Sequence, residues 1–128
     1  MEDKEEENDP LTFAVIGAAI EVHRVLGPVL LESAYEECLA YEFMERGIDF
    51  RRQMVMPVVY KKIKLRDAYR LDFQIQDQLI LELKATDRKQ EVHEAQLLTY
   101  LKLSGIRKGL LINFQVPMLK LGIRRFIM

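Results

Sequence analysis

The chain of 128 residues has one cysteine, no tryptophan and two histidines. The single Cys38 excludes an internal disulfide framework, a four-cysteine zinc site and a cysteine-ligated iron–sulfur cluster within one chain, and its expected place is a buried helix position. No segment approaches the roughly 18 to 20 uninterrupted apolar residues of a membrane span, and the N-terminus lacks the basic-then-apolar order of a secretory signal. A cytoplasmic protein with no membrane partner is therefore expected. Also missing are GxxxxGK[ST], GxGxxG, HExxH and GxSxG, which leaves P-loop hydrolysis, dinucleotide binding, zincin and α/β-hydrolase chemistry without support.

What is present fits one soluble globular domain: 49% hydrophobic and 30% charged residues, with 20 acids against 19 bases. At 15.0 kDa such a chain buries roughly two thirds of the surface it exposes when unfolded, enough for a core without metal or disulfide staples. The charge is uneven. Residues 1–9 hold six acids and one lysine, leaving 18 bases against 14 acids elsewhere. With almost nothing apolar to bury, 1–9 reads as a disordered acidic tail and 10–128 as a single domain. Six bases and no acid occur from Lys102 to Met128, which suits a phosphate-facing surface or a merely solvated face.

Between Leu11 and Leu26, Phe13, Ile16, Ile20, Val22 and Val25 recur at near-helical spacing until Gly27-Pro28 stops them. A second helix carries Leu30, Leu31, Ala34, Tyr35, Cys38, Leu39, Phe43 and Met44 and ends near Gly47. Phe50 to Tyr60, Ile63 to Ile75 and Leu79 to Ala85 read as strands, with turns at Lys61-Lys62 and Gln76-Asp77-Gln78. After a polar loop from Thr86 to Glu91, Val92 to Ser104 places Ala95, Leu97, Leu98, Leu101 and Tyr100 on a helix that Gly105 ends, with Leu97, Leu98 and Leu101 assigned to the core. A strand from Gly109 to Phe114 and an edge strand within 121–127 complete the chain. The order α-α-β-β-β-α-β predicts an α/β fold, a mixed sheet flanked by helices.

In Leu79-Ile80-Leu81-Glu82-Leu83-Lys84-Ala85 alternation puts Glu82 and Lys84 on one face and Leu81 and Leu83 on the other. If 76–78 is a three-residue hairpin loop, 75 faces 79, 73 faces 81, and Asp72 faces Glu82. Two carboxylates about 4.5 to 5.5 Å apart at Cβ repel unless something positive lies between them. A divalent cation, Mg²⁺ or Mn²⁺, takes one or two such ligands and completes its shell with water and phosphate oxygens. Phosphodiester hydrolysis is the chemistry this suggests, with Lys84 orienting water or offsetting transition-state charge. A cross-strand salt bridge satisfied by Lys84 is the plainer reading of the same spacing.

Asp72-x9-Glu82-x-Lys84 on adjoining strands resembles the PD-(D/E)XK nuclease superfamily. The segments 16–23, 26–28, Leu30-Leu31-Glu32-Ser33-x-Tyr35-Glu36, Tyr69-Arg70-Leu71-Asp72 and 93–101 are similar to the GxxExxY protein family within it. Val29 stands where that family's name implies a glycine. The resemblance covers nearly all of 12–127 and implies a restriction-endonuclease-like core with Asp72, Glu82 and Lys84 as catalytic residues. It further implies that Glu32 and the Leu83 carbonyl join Asp72 and Glu82 around the metal. Gln96 and Tyr100, four apart on one helix face, resemble the Gln-x-x-x-Tyr element of the RecB-like branch. Arg70, by strand parity, and His23, by analogy with helix histidines of that branch, are expected contacts to nucleic acid, DNA rather than RNA. Packing is the plainer role for His23. A non-catalytic module binding nucleic acid or protein is the alternative function, and edge strands near Phe50 or Phe126 would admit a homodimer.

Overall fold

The computed structural model describes residues 9–87 and 91–128. Its helices are α1 (Pro10–Leu26), α2 (Glu32–Glu45) and α3 (Glu91–Ser104), and its strands β1 (Phe50–Tyr60), β2 (Ile63–Ile75), β3 (Leu79–Lys84), β4 (Lys108–Asn113) and β5 (Ile123–Ile127). A short 3₁₀ turn, Leu119–Gly122, precedes β5. Among the described residues the five strands form one sheet in the order β1-β2-β3-β4-β5, parallel only between β3 and β4, with α3 as the crossover. The α/β expectation holds in element order and type. The two edges are β1 and β5, the strands that carry Phe50 and Phe126. None of the described helices is long and apolar enough to cross a membrane.

Alternation along β3 and β4 separates two cores. Leu79, Leu81, Leu83, Leu110 and Ile112 join α1 and α2 on one face, whereas Ile80 and Leu111 join Leu97, Tyr100 and Leu101 of α3 on the other. Tilted and edge-on contacts among Phe43, Phe50 and Phe73, with centroids 5.3 to 5.7 Å apart, tie α2 to the first two strands.

Helix α1 buries Val15, Ala18, Ala19, Val22 and His23, a face rotated from the one its bulkier residues suggest. Phe13 is 78% exposed, and Ile20 and Val25 are also on the surface. Small alanines let α1 pack closely where larger side chains would not fit, so close approach outranks side-chain hydrophobicity. In the same way Leu31 and Met44 of the second apolar stripe are exposed, as is Leu98 of α3, and Cys38 is half-buried rather than buried. Gly27 ends α1 at φ 78°, a left-handed conformation that side chains disfavour.

Asp9, grouped by composition with the acidic tail, caps α1. Its carboxylate accepts from the Leu11 N–H at 3.1 Å and from the Thr12 hydroxyl at 2.6 Å, and pairs with Lys108 at 3.0 Å. The rest of the expected tail, and residues 88–90 of the expected polar loop, lie outside the described residues.

Pro57 sits in edge strand β1, where its missing N–H is tolerated, and the β1–β2 register shifts there. From the Lys61-Lys62 turn the pairs are Tyr60↔Ile63 and Val58↔Leu65, but beyond the shift they become Met56↔Tyr69, Met54↔Leu71 and Arg52↔Phe73. That displacement sets which β1 residue faces Asp72.

Candidate active site

The β2–β3 hairpin follows the expected register, Ile75↔Leu79, Gln74↔Ile80 and Phe73↔Leu81, and its ladder then stops. Where the next pair would stand, side chains replace backbone partners. Glu82 Oε1 accepts from the Asp72 N–H at 3.0 Å, and Asp72 Oδ2 accepts from the Leu83 N–H at 2.8 Å. Diverging strands leave N–H groups that need acceptors, and the two carboxylates supply them. The divergence also breaks alternation in β2: Phe73 packs with α1 and α2, whereas Leu71, two residues away, packs with α3. Asp72 lies at the crossover between the two cores.

Glu82 is only 4% exposed. Burial first, and then the charge of Asp72, pushes its carboxyl up to about 8. Asp72 is likewise raised by burial and by Glu36, against the lowering effect of the Leu83 N–H, Lys84 and Gln53. Glu32, at the first turn of α2, is raised by burial and by the charges of Asp72 and Glu36, while Lys84 opposes the shift. Four acids thus share one field, offset by Lys84 at Asp72, Glu82 and Glu32 and by Arg52 at Glu36. Tyr100, 2% exposed, has its phenol raised by burial, then by Glu82, Tyr69 and Asp72, and its ring meets Tyr69 edge-on at 5.0 Å.

Residues 9–126 match the family model of the PD-(D/E)XK nuclease superfamily. The chain belongs to that superfamily. No curated protein and no solved structure shows a significant match. Membership carries a nuclease-like, phosphodiester-hydrolysing character, a nucleic-acid substrate and general use of divalent metals by its members.

The donor set fits such an ion. Asp72 and Glu82 carry hard oxygens whose negative charge is under-compensated, which is the condition a divalent cation would relieve. Among the described residues no three Asp, Glu, His or Cys side chains are arranged to hold one ion. Glu32 shares the field of the pair without forming a three-acid cage with it.

The structure brings Asp72, Glu82, Lys84, Tyr100 and Glu32 into one electrostatic neighbourhood. Gln96 is half-buried one turn before Tyr100, and Arg70 is exposed on β2 opposite Val55. The Leu83 N–H is committed to Asp72. His23 is placed differently from the nucleic-acid contact expected of it. It is buried, with Nε2 2.9 Å from the Val116 carbonyl oxygen and its ring tilted against Phe114, and none of its described contacts reaches the acid pair.

Tyr35 of the Glu32-x-x-Tyr35 motif is fully buried and stacked on Phe114 at 4.3 Å. Its hydroxyl donates to the Gly27 carbonyl and accepts from the Leu30 N–H, which pins the loop leading to Glu32. Val29 in that loop is 80% exposed and is not among the positive-φ residues, so the position does not need the glycine that the motif's name implies.

Sequence reasoning passed over Glu36 and Gln53. Glu36 was accessible in principle, because it lies four residues after Glu32 and so on the same helix face. Gln53 was not: unbroken pairing from the Lys61-Lys62 turn puts it opposite Arg70, and only the shift at Pro57 brings it opposite Asp72.

Proposed function

We propose that this protein hydrolyses phosphodiester bonds in nucleic acid, DNA rather than RNA, using Mg²⁺ or Mn²⁺ held by Asp72 and Glu82. The observation that carries the reading is the adjacent carboxylate pair, Glu82 buried and Asp72 half-buried, with Lys84 on the face of Glu82. When bound, the ion polarises the phosphate and lowers the pKa of a coordinated water.

The chain's own groups do the rest. The Asp72 and Leu83 N–H groups hold the two carboxylates in place before substrate arrives, so little reorganisation accompanies the reaction. Glu32 adds negative charge to the site, and the Leu83 carbonyl offers a further hard oxygen. Lys84 orients the attacking water and offsets charge on the phosphate oxygens. With its pKa raised, the Tyr100 hydroxyl keeps its proton at neutral pH and serves as a donor; Gln96, on the same helix face, supports it. Arg70 and the acid-free segment from Lys102 to Met128 provide positive charge for flanking phosphates.

Calorimetric titration of Mn²⁺ into the protein and into Glu82→Gln, followed by digestion of labelled DNA and RNA with Mg²⁺, tests this reading. Saturable binding lost in the variant, with cleavage of DNA, is the expected result. Absence of both metal uptake and cleavage, with nucleic acid present, would overturn it in favour of a non-catalytic nucleic-acid-binding module.

A further inference from the structure

Four non-glycine residues have positive φ among those described, and three of them, Lys61, Gln76 and Asp77, lie in hairpin turns. The fourth, Gln53, lies inside strand β1 with φ 51°. Glutamine has no local hydrogen-bonding reason to adopt the left-handed region, as asparagine often does, so the conformation must be imposed by surrounding contacts. Residues held this way inside an otherwise regular element occur disproportionately at functional sites.

Its side chain shows what the conformation accomplishes. Gln53 Nε2 donates to Glu36 Oε1 at 2.6 Å and to Asp72 Oδ1 at 3.2 Å. An amide nitrogen carries two protons, and here both are directed at carboxylates. Glu36 is anchored in turn by Arg52, whose Nε and terminal nitrogen lie 3.2 and 2.9 Å from Glu36 Oε2. A continuous chain therefore runs from Arg52 through Glu36 and Gln53 to Asp72. The Leu83 N–H holds the other Asp72 oxygen at 2.8 Å, so each oxygen of that carboxylate has one fixed donor and keeps lone-pair capacity open. A neutral amide does this without placing a cation where a metal would bind, as lysine or arginine would.

We propose that Gln53 is a positioning residue that fixes the orientation of Asp72 for a divalent cation, with Glu36 and Arg52 holding the glutamine in place. The proposal rests on the reading of Asp72 as a cation ligand. It assigns a role in the site to β1, a strand that contributes none of the catalytic residues. The left-handed backbone is the device that turns the carboxamide toward the point where β2 leaves β3.

The test uses the full chain with Gln53→Met, which keeps length and removes the donor, and Gln53→Gly, which also relieves the backbone. Melting temperature, Mn²⁺ affinity by calorimetry, and the Hα–Hβ couplings of Asp72 by NMR without metal are measured for each. Both variants should fold, bind Mn²⁺ roughly tenfold or more weakly, as loss of an outer-shell partner typically does, and show rotamer averaging at Asp72. Wild-type affinity together with wild-type couplings in both variants would overturn the positioning role while leaving the metal site intact. If the wild-type chain itself takes up no Mn²⁺, the proposed function fails, and the couplings still decide whether Gln53 orders Asp72: averaging in the variants supports that, and unchanged couplings overturn it.

Discussion

Asp72 and Glu82 each accept a hydrogen bond from backbone at the other's strand, at 2.8 Å from the Leu83 N–H and 3.0 Å from the Asp72 N–H. This reciprocal arrangement replaces a rung of the β2–β3 ladder and holds two acids together that would otherwise repel. Burial of Glu82 beside Asp72 raises both carboxyls, so proton uptake by the pair should stabilise the fold, and a divalent cation held as proposed would compete with that proton.

The pH dependence of stability has a definite sign. The Glu82 carboxyl titrates near 4.5 when free and is pushed up to about 8 in the fold. Between these values the folded state binds more protons than the unfolded one, so stability falls as pH rises through the window. Without metal, the melting temperature should decline from pH 5 to pH 8 in the wild type and much less in Glu82→Gln. The variant should melt higher at pH 8, by at least about 3 °C. Scanning calorimetry across this range checks it, and a slope unchanged in the variant would refute the assignment.

Metal uptake should show the complementary behaviour. A cation needs the ionised pair, so Mn²⁺ binding at pH 6.5 should release protons and strengthen as pH rises toward 8. Titrations in buffers of different ionisation enthalpy measure the proton count. A count of zero would show that the carboxyls are already ionised.

Lys84→Met should separate binding from chemistry. Removing the ammonium leaves both carboxylates in place, so Mn²⁺ affinity should be kept or increased, while cleavage of nucleic acid falls by at least ~100-fold. Equal loss of both would place Lys84 in a purely structural role.

Tyr35→Phe tests the clamp before Glu32. The ring and its stack on Phe114 remain, but the Gly27 carbonyl and Leu30 N–H each lose a partner. A loss of about 1–3 kcal/mol in urea unfolding is expected, with weaker metal binding if the loop carries Glu32 out of the field of the pair.

Gly122→Ala should be poorly tolerated for a different reason. A Cβ there would lie 2.1 Å from the Asn113 carbonyl oxygen, a backbone atom that must move. Asn113 also clamps Thr86, accepting from its N–H at 3.1 Å and donating to its carbonyl at 2.8 Å just beyond Lys84. Destabilisation of about 1–3 kcal/mol is expected from equilibrium unfolding.

Local chemistry made much of this legible from the sequence. The period of two along Leu79–Lys84 places Glu82 and Lys84 together whatever surrounds them, and a three-residue turn at 76–78 sets the register that brings Asp72 to Glu82. Helix ends at Gly27 and Gly105 and the strand at 109–113 follow equally from short-range pattern. What only the tertiary structure decided depends on contacts between distant segments. Helix α1 turned Ala18 and Ala19 inward in place of Phe13 because tight packing, which no single-helix pattern records, selects its face. His23 became a partner of Val116, 93 residues away. Gln53 met Asp72 through a two-residue register shift at a proline, and burial with the neighbouring acid raises the Glu82 carboxyl. Periodicity along a chain determines which way side chains point, but desolvation and register irregularities are properties of the assembled sheet.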